Sequence, residues 1–452
     1  MTVLPRKFVC LAVVVFTAFG SLTASAKRDM VVSPEDVFIE IAQMGHDQWR
    51  IAYNFSRPVM YVDLGKSLNG FRAADWHVET DGIEIVTRDG RDYLQATDGK
   101  RRFDTTAVMV KAKPLRLLKH YEPIRNLGKD GAIVYTGHFW PWSIRGGRVK
   151  ASFFFKPQIG ARVSVFGLQA ASVDRWQSIF NHPAFVYFGP LQAVETDDVV
   201  VIADPAAPNW IAAEFHRAAP PLLDHLATIF EVNLRTKPNI FLAFEKGGPY
   251  GLMRYSGDAL PGQFQLSLYG GGWKLPTELG IDLLRRAMAH EAVHLWQTAI
   301  SPLDDDVPGW IHEGAADAIA AEALVALGYW TGEDAAHELK RATNECADEL
   351  RDGSLADAER RGSIRAFYAC GHILVEAAAR AHNDAASVAD FWRDFAERAT
   401  ERGGYDAEMF FKLVEEVGGE DLSRAMRYFE RTPLARPSRE INQLLSMAQS
   451  AP

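Results

Sequence analysis

Hydrophobic and polar positions alternate with a period of two along much of residues 31–190, as expected for strands with one buried face. The strand-like runs include residues 59–62 and 83–86. Turns between such runs are marked by three Asp-Gly pairs, at Asp81-Gly82, Asp89-Gly90 and Asp98-Gly99. Asp-Gly between alternating segments is a strong hairpin signal. The pattern therefore predicts a β-rich domain over residues 31–190, a sandwich or an irregular β structure.

The pattern changes near residue 190. Residues 199–202 and 240–244 are continuous apolar runs typical of buried strands, and residues 263–269 alternate like a third strand. An amphipathic stretch at residues 209–231 predicts a helix, which Pro220-Pro221 should kink or divide into two.

Beyond Thr277 the chain is rich in Ala, Leu, Glu and Arg and predicts helices to about residue 431. Strands followed by helices favour an α+β domain with a small mixed sheet and a helical C-terminal half. We assign this domain to residues 191–435, and residues 436–452 to a C-terminal tail. The predicted fold class is α+β, with a β-rich domain first.

The first 26 residues have the pattern of a cleaved secretory signal. Arg6 and Lys7 precede an apolar run from residue 8 to about residue 22, and Ala24-Ser25-Ala26 supplies the small residues of a cleavage site. The alternative is an uncleaved membrane anchor, but the run is shorter than the roughly 20 residues that span a bilayer. The sequence thus predicts an exported protein, periplasmic or extracellular.

Net charge limits the classes of binding partner, and cysteine content indicates the compartment. Loss of the signal removes Arg6 and Lys7 but no acidic residue, which changes the net charge from −9 to −11. An acidic chain without a basic stripe is not expected to bind nucleic acid, and no later segment predicts a membrane span. Cys346 and Cys370 remain after signal removal and predict a disulfide in an oxidising compartment. The alternative is two unrelated buried thiols.

The candidate chemistry lies in the helical half. His290-Glu291-Ala292-Val293-His294 falls within a predicted helix, where residues four apart share one face. Two imidazoles can therefore bind one metal ion, with Glu291 beside them to take a proton from water. A catalytic zinc usually takes a third protein ligand and leaves one position for water.

The third ligand is predicted on the following helix, which starts near Trp310. Eighteen residues separate His294 from Glu313, enough for the first helix to end, turn and return antiparallel. Asp317 lies four residues beyond Glu313, on the same helical face. It is placed to accept a hydrogen bond from the outer nitrogen of a ligating histidine. His312 points about 100° away around this helix and is not expected to be a ligand.

These two helices resemble those of the gluzincin metallopeptidases, whose signature is His-Glu-x-x-His followed by a helix with Glu-Gly-x-Ala. The resemblance covers about residues 199–429. It implies a zincin-like domain that binds one Zn²⁺ ion through His290, His294 and Glu313, with Glu291 as the general base. It also places a tyrosine on the next helix, where Tyr368 is the candidate transition-state donor. His372, one turn further, is the alternative donor, and either side chain could simply be packed in the core.

The resemblance implies zinc-dependent hydrolysis of peptide bonds in a peptide or protein substrate. The aminopeptidase branch carries a Gly-x-Met-Glu-Asn motif whose glutamate holds the substrate amine. Residues 247–277 contain Asp258 but no glutamate, which favours an endopeptidase. The strand at residues 263–269 could form a sheet edge that pairs with the substrate, or it could be an ordinary strand of the sheet.

Two other functions remain open from the sequence. One is a catalytically silent zinc-binding domain that serves as an extracytoplasmic interaction module. An intact Glu291 counts against it, because a site without catalysis does not need a base. The other is a metal-free binding protein in which the motif arose by chance.

Overall fold

Residues 36–189 form strands that enclose the first hydrophobic core. The structure, a computed structural model, describes residues 33–113, 121–245, 247–300, 307–382 and 387–450, so the predicted signal at residues 1–26 lies outside the described residues. Besides the short helix α1 (Phe71–Asp75), the elements of this half are strands β1 (Asp36–Gln43), β2 (Gln48–Val59), β3 (Tyr61–Lys66), β4 (His77–Val78), β5 (Ile83–Arg88), β6 (Arg91–Ala96), β7 (Phe103–Lys111), β8 (Ile124–Leu127), β9 (Gly131–Tyr135), β10 (Lys150–Lys156), β11 (Arg162–Val165), β12 (Leu168–Ala170), β13 (Val173–Trp176) and β14 (Phe185–Gly189).

These strands form three sheets. The largest has the order β13-β10-β1-β2-β7-β4, the second β12-β11-β14-β9-β8 and the smallest β3-β6-β5. Trp49 of β2 contacts Phe188 of β14 edge-to-face, with ring centroids 5.0 Å apart. The two larger sheets therefore face each other across an aromatic core, because alternate residues of their strands point inward.

The second half contains a mixed sheet followed by helices. Its elements are β15 (Val194–Glu195), β16 (Val200–Ala203), α2 (Asn209–Phe230), β17 (Asn239–Glu245), β18 (Arg254–Leu260), β19 (Gln263–Tyr269), α3 (Glu278–Ile300), α4 (Gly309–Ala326), α5 (Gly332–Glu349), α6 (Ala358–Arg361), α7 (Arg365–His382), α8 (Val388–Arg402), α9 (Ala407–Arg431) and α10 (Pro437–Gln449). This confirms the predicted α+β fold class, with the β-rich domain first and the helical half last.

The mixed sheet has the order β15-β16-β17-β19-β18. Strands β16, β17 and β19 are parallel, and β18 runs antiparallel to β19 at the edge. Of the two alternatives for residues 263–269, the edge strand was therefore wrong and the ordinary sheet strand is confirmed. The turn around Pro261 and Gly262 folds β18 and β19 into a hairpin, so β18 covers the side of β19 that would otherwise be free.

Helix α2 continues through Pro220 and Pro221 as one helix, so of the two expected outcomes, a kink or a division into two helices, the division was wrong. Ala219, Leu222 and Leu226 lie on its buried face. Burial of this face stabilises the helix against the loss of the two backbone N–H donors.

The helical half is organised around α7, which packs against α4, α5, α8, α9 and α10. A disulfide between Cys346 and Cys370 joins α5 to α7, with the two Cα atoms 4.9 Å apart. Within the segment predicted as a tail, α10 buries Ile441 and Leu444. Among the described residues, no helix has both the length and the apolar character needed to cross a membrane.

The two halves share a third hydrophobic cluster. Tyr135 and Phe185 of the five-stranded sheet pack with Phe241 and Leu260 of the mixed sheet. This contact holds the β-rich domain against the sheet that ends at β18, where Tyr121 of that domain reaches the backbone of Ala259.

Candidate metal centre

Helix α3 carries two histidines whose side chains converge. His290 and His294 lie one turn apart, and their Nε2 atoms are 3.1 Å from each other. Both are buried, because α3 is enclosed around this turn by the sheet and by α4. The predicted pairing of the two imidazoles is present in the structure.

Helix α4 returns alongside α3 and brings Glu313 to the same point. Its Oε2 atom lies 3.3 Å from Nε2 of His290 and 3.3 Å from Nε2 of His294. At zinc–ligand distances of 2.0–2.2 Å in a tetrahedral arrangement, ligand atoms stand about 3.3–3.6 Å apart, close to the separations seen here. The three side chains therefore have both the chemistry and the spacing that a zinc ion requires.

The outer nitrogens of both imidazoles have acceptors. Oδ1 of Asp317 lies 2.8 Å from Nδ1 of His290, and Oε1 of Gln297 lies 2.6 Å from Nδ1 of His294. Each ring can therefore donate Nδ1–H outward and keep the Nε2 lone pair for a metal. Burial alone would raise the pKa of Asp317, but the hydrogen bond from His290 and the charges of His290 and Arg286 lower it to about 2. Asp317 lies where the helical spacing predicts it, whereas no pattern in the sequence indicates Gln297.

Glu291 projects from α3 toward the edge of the sheet. Burial raises its pKa to about 7, although the charges of His290 and His294 act in the opposite direction. Its carboxylate lies against Gly257 of β18, where a Cβ would stand 2.0 Å from Oε1. A glycine at this position thus leaves room for the carboxylate. Gly257 was not predicted as part of the site. The signal that could have indicated it is a glycine inside a strand, which often marks a close approach of another group to the backbone.

Tyr368 of α7 lies beside the metal centre. Its ring stacks on that of His290, with centroids 5.6 Å apart. Burial raises its pKa well above the ordinary value, and nearby Glu313 and Glu291 add to this effect, so the hydroxyl keeps its proton. His372 is also buried, but it lines a separate cavity between α4, α5, α7 and α10.

His312 lies next to Glu313 in sequence but contacts the centre differently. Its ring stacks on His294 at 4.3 Å between centroids, and its Nδ1 lies 3.2 Å from the Tyr405 hydroxyl. Burial, with the charge of His294, lowers its pKa to about 3. The ring is therefore neutral and belongs to the wall of the site, outside the set of converging ligand atoms.

Two glycines bring α4 and α7 into backbone contact. A Cβ on Gly314 would stand 2.1 Å from the carbonyl carbon of Gly371, and one on Gly371 would stand 2.0 Å from the carbonyl oxygen of Trp310. The glycine that follows Glu313 in the motif therefore sets the distance between the helix of the third ligand and the helix of Tyr368.

The β-rich domain also reaches the sheet edge beside the centre. The Tyr121 hydroxyl donates a hydrogen bond of 2.8 Å to the backbone oxygen of Ala259, and Arg125 Nη1 lies 2.6 Å from Oγ of Ser267. The sequence gives no signal for either contact, because the two hydrogen bonds join positions separated by 138 and 142 residues.

Comparison with known proteins shows which solved structures share this fold. No protein-family model matches the chain, and no curated protein matches it in sequence. Among solved structures, an aminopeptidase N family protein from Idiomarina loihiensis is similar with a TM-score of 0.59 and 12% identity, over 90% of this chain and 78% of that one. A variant of an M1 zinc metallopeptidase from Deinococcus radiodurans, bound to a Tyr-Ser-Ala substrate, is similar with a TM-score of 0.51 and 15% identity, over 88% and 93%.

A variant of a two-domain M1 zinc metallopeptidase bound to L-tryptophan is similar to the same degree, with a TM-score of 0.51 and 13% identity over 89% of this chain and 95% of that one. At these identities the likeness concerns the fold, and it extends over both halves of the chain. The protein therefore has the fold of the M1 zinc metallopeptidases, which confirms at the level of the fold the resemblance to gluzincins.

Proposed function

We propose that the protein hydrolyses peptide bonds with one zinc ion held by His290, His294 and Glu313. The observation that carries this proposal is the mutual spacing of the three ligand atoms, 3.1, 3.3 and 3.3 Å. Two buried imidazoles and a partly buried carboxylate at this spacing fit a tetrahedral ion that retains one open position. The open position distinguishes a catalytic site from a structural one.

The surrounding side chains fit the steps of hydrolysis. Zinc in this site would supply Lewis acidity, which acidifies water and polarises a carbonyl group. Glu291 takes the proton of the attacking water and transfers it to the leaving amine. Its buried environment suits both transfers, because a carboxyl with a raised pKa accepts and releases a proton near neutral pH. Tyr368 donates a hydrogen bond to the oxyanion of the tetrahedral intermediate.

The proposed substrate is a peptide or protein. We propose that the enzyme acts as an endopeptidase and not as an aminopeptidase. The edge strand β18 carries Asp258 and no glutamate. An edge strand of this kind can pair with an extended peptide backbone, and such pairing accommodates internal segments of a chain. The disulfide is compatible with the proposed export to the periplasm or the extracellular space.

The test is cleavage of a peptide library by the mature protein, with and without a chelator. We expect cleavage that the chelator abolishes and Zn²⁺ restores. Glu291→Gln should lower kcat by about 10²–10⁴-fold, the usual contribution of a general base, while zinc stays bound. Glu278→Gln, in the first turn of the same helix, is the matched control and should leave kcat unchanged.

The outcomes separate the proposal from the silent-domain alternative. Stoichiometric zinc without cleavage of any peptide would support a zinc-binding interaction module. Equal turnover by the wild type and Glu291→Gln would contradict the role of Glu291. Absence of zinc from the purified protein after supplementation would contradict the metal site itself.

A further inference from the structure

Two carboxylates from different helices share the guanidinium group of Arg286, which lies on α3 one turn before His290. Glu338 of α5 binds it with both oxygens, at 2.5 Å between Nη2 and Oε1 and 3.1 Å between Nη1 and Oε2. Asp317 of α4 approaches the same Nη2 atom only to 3.9 Å, through Oδ2. Arg286 therefore forms a two-point ion pair with Glu338 and a single, longer contact with Asp317.

The two oxygens of Asp317 consequently face different partners. Oδ1 accepts the hydrogen bond from Nδ1 of His290 at 2.8 Å, whereas Oδ2 lies near Arg286 without a hydrogen bond to it. A carboxylate that accepts hydrogen bonds from a guanidinium group is a weaker acceptor for a second donor, because part of its charge is already compensated. The longer contact therefore leaves Asp317 a strong acceptor for the ring that it orients.

Glu338 is charged and is held from two sides. Arg341, on the same helix, donates from Nε and Nη2 to its carboxylate at 2.8 and 2.6 Å. Burial alone would raise the pKa of Glu338, but the hydrogen bond from Arg341 and the charges of Arg286 and Arg341 lower it. The Glu338 side chain is only 10% exposed, so water competes little for these bonds. Its charge therefore draws Arg286 toward α5 and away from Asp317.

Two further titratable side chains are affected by the charge of Arg286, and both are neutral. Burial raises the pKa of the Tyr255 hydroxyl on β18 and lowers the pKa of the His372 ring on α7. Neither side chain carries a negative charge that could hold the guanidinium group in place of Glu338. The position of Arg286 thus depends on its two carboxylates, of which Glu338 makes the closer contact.

We infer that Glu338 is a positioning residue of the metal centre, which holds Arg286 away from Asp317 so that Asp317 can orient His290. Glu338 acts through these two side chains, from a helix that carries none of the three proposed zinc ligands. The inference rests on the zinc site of the proposed function and not on the hydrolysis reaction. Zinc affinity alone can therefore test it.

The test is competition for zinc between the apoprotein and a chromophoric chelator at fixed pH. Glu338→Gln keeps the size of the side chain and removes its charge, so Arg286 should shift toward Asp317. We expect zinc affinity to fall by about three- to tenfold, less than the roughly 10–100-fold cost of losing the orienting carboxylate itself. Glu345→Gln, which removes a charge from the same helix, is the matched control and should leave the affinity unchanged.

A double-mutant cycle separates this role from a general effect of charge or stability. Arg286→Met should bind zinc at least as tightly as the wild type, because the competitor for Asp317 is gone. Addition of Glu338→Gln to Arg286→Met should change the affinity no further, since no guanidinium group remains to move. Glu338→Gln should likewise have no effect in the Asp317→Asn background, where the carboxylate that it protects is absent.

Three results would overturn the inference. They are wild-type zinc affinity in Glu338→Gln, weaker zinc binding by Arg286→Met, and an equal loss from Glu338→Gln in the wild-type, Arg286→Met and Asp317→Asn backgrounds. The Arg286→Met result stands even if Glu338→Gln does not fold. Peptidase activity enters none of these measurements, so a protein that binds zinc and cleaves no peptide would contradict the proposed hydrolysis and leave this inference intact.

Discussion

Asp317→Asn tests how the metal centre is oriented. The carboxylate of Asp317 lies 2.8 Å from Nδ1 of His290 and 3.9 Å from Arg286. Asparagine has the same shape, so the substitution removes the charge without creating a cavity. Arg286 keeps its closer ion pair with Glu338, at 2.5 Å, and should hold its position.

The size of the effect follows from the hydrogen bond to His290. Loss of a carboxylate that orients a ligating histidine typically costs 10–100-fold in metal affinity, or about 1.4–2.7 kcal/mol. We expect the same range here, because the Asp317 side chain is only 10% exposed and its negative charge makes the His290 ring a better electron donor. The neighbouring His294 ring already has a neutral amide, Gln297, as its acceptor.

The assay is competition for zinc between the apoprotein and a chromophoric chelator at fixed pH. Asp317→Asn should bind zinc about 10–100-fold more weakly and recover most of its peptidase activity when zinc is saturating. Asp348→Asn, an exposed ion pair on α5, should leave the zinc affinity unchanged. Wild-type affinity in Asp317→Asn would refute the argument that this carboxylate supports His290 as a ligand.

Three further changes have defined outcomes. Tyr368→Phe should lower kcat by about 10²–10³-fold with little change in KM, because the donor acts on the transition state; an unchanged kcat in steady-state assays would exclude this role. Reduction of Cys346–Cys370 should lower the free energy of unfolding by roughly 3 kcal/mol in urea titrations, and the Cys346→Ala/Cys370→Ala double variant should then be insensitive to reductant. Burial raises the pKa of Asp258 to about 6, so the folded protein binds more protons than the unfolded chain between about pH 4 and 6 and loses stability as pH rises. Asp258→Asn lacks this loss, and its Tm relative to wild type should rise from pH 4 to pH 7; a constant difference would contradict the shift.

The metal centre could be predicted because its residues are local. His290, Glu291 and His294 lie within two turns of one helix, and Glu313 lies on the next helix along the chain. Helical periodicity then fixes which side chains share a face. The same argument placed Asp317 against His290, because it lies one turn beyond Glu313.

Other parts of the site depend on tertiary contacts that the hydrophobic periodicity of the sequence does not predict. Gln297 meets His294 across less than one turn, but an amide near a histidine has no distinctive spacing. Tyr121 and Arg125 reach the hairpin only because the β-rich domain packs on the mixed sheet. The order of β18 and β19 depends on pairing within a hairpin, and an alternating pattern fits an inner and an outer strand equally well.

The contact between Gly314 and Gly371 divides the site into a part that can vary and a part that cannot. A methyl group on either glycine would separate two helices and withdraw the tyrosine from the zinc ligands. The opposite wall is built from the β18–β19 hairpin and from Tyr121 and Arg125 of the β-rich domain, where, apart from Gly257 beneath Glu291, exchange of a side chain leaves the ligand helices in place. Substitutions that change substrate specificity are therefore expected on the hairpin side of the site, whereas the helices that carry the zinc ligands and the tyrosine must keep their spacing for the reaction to occur.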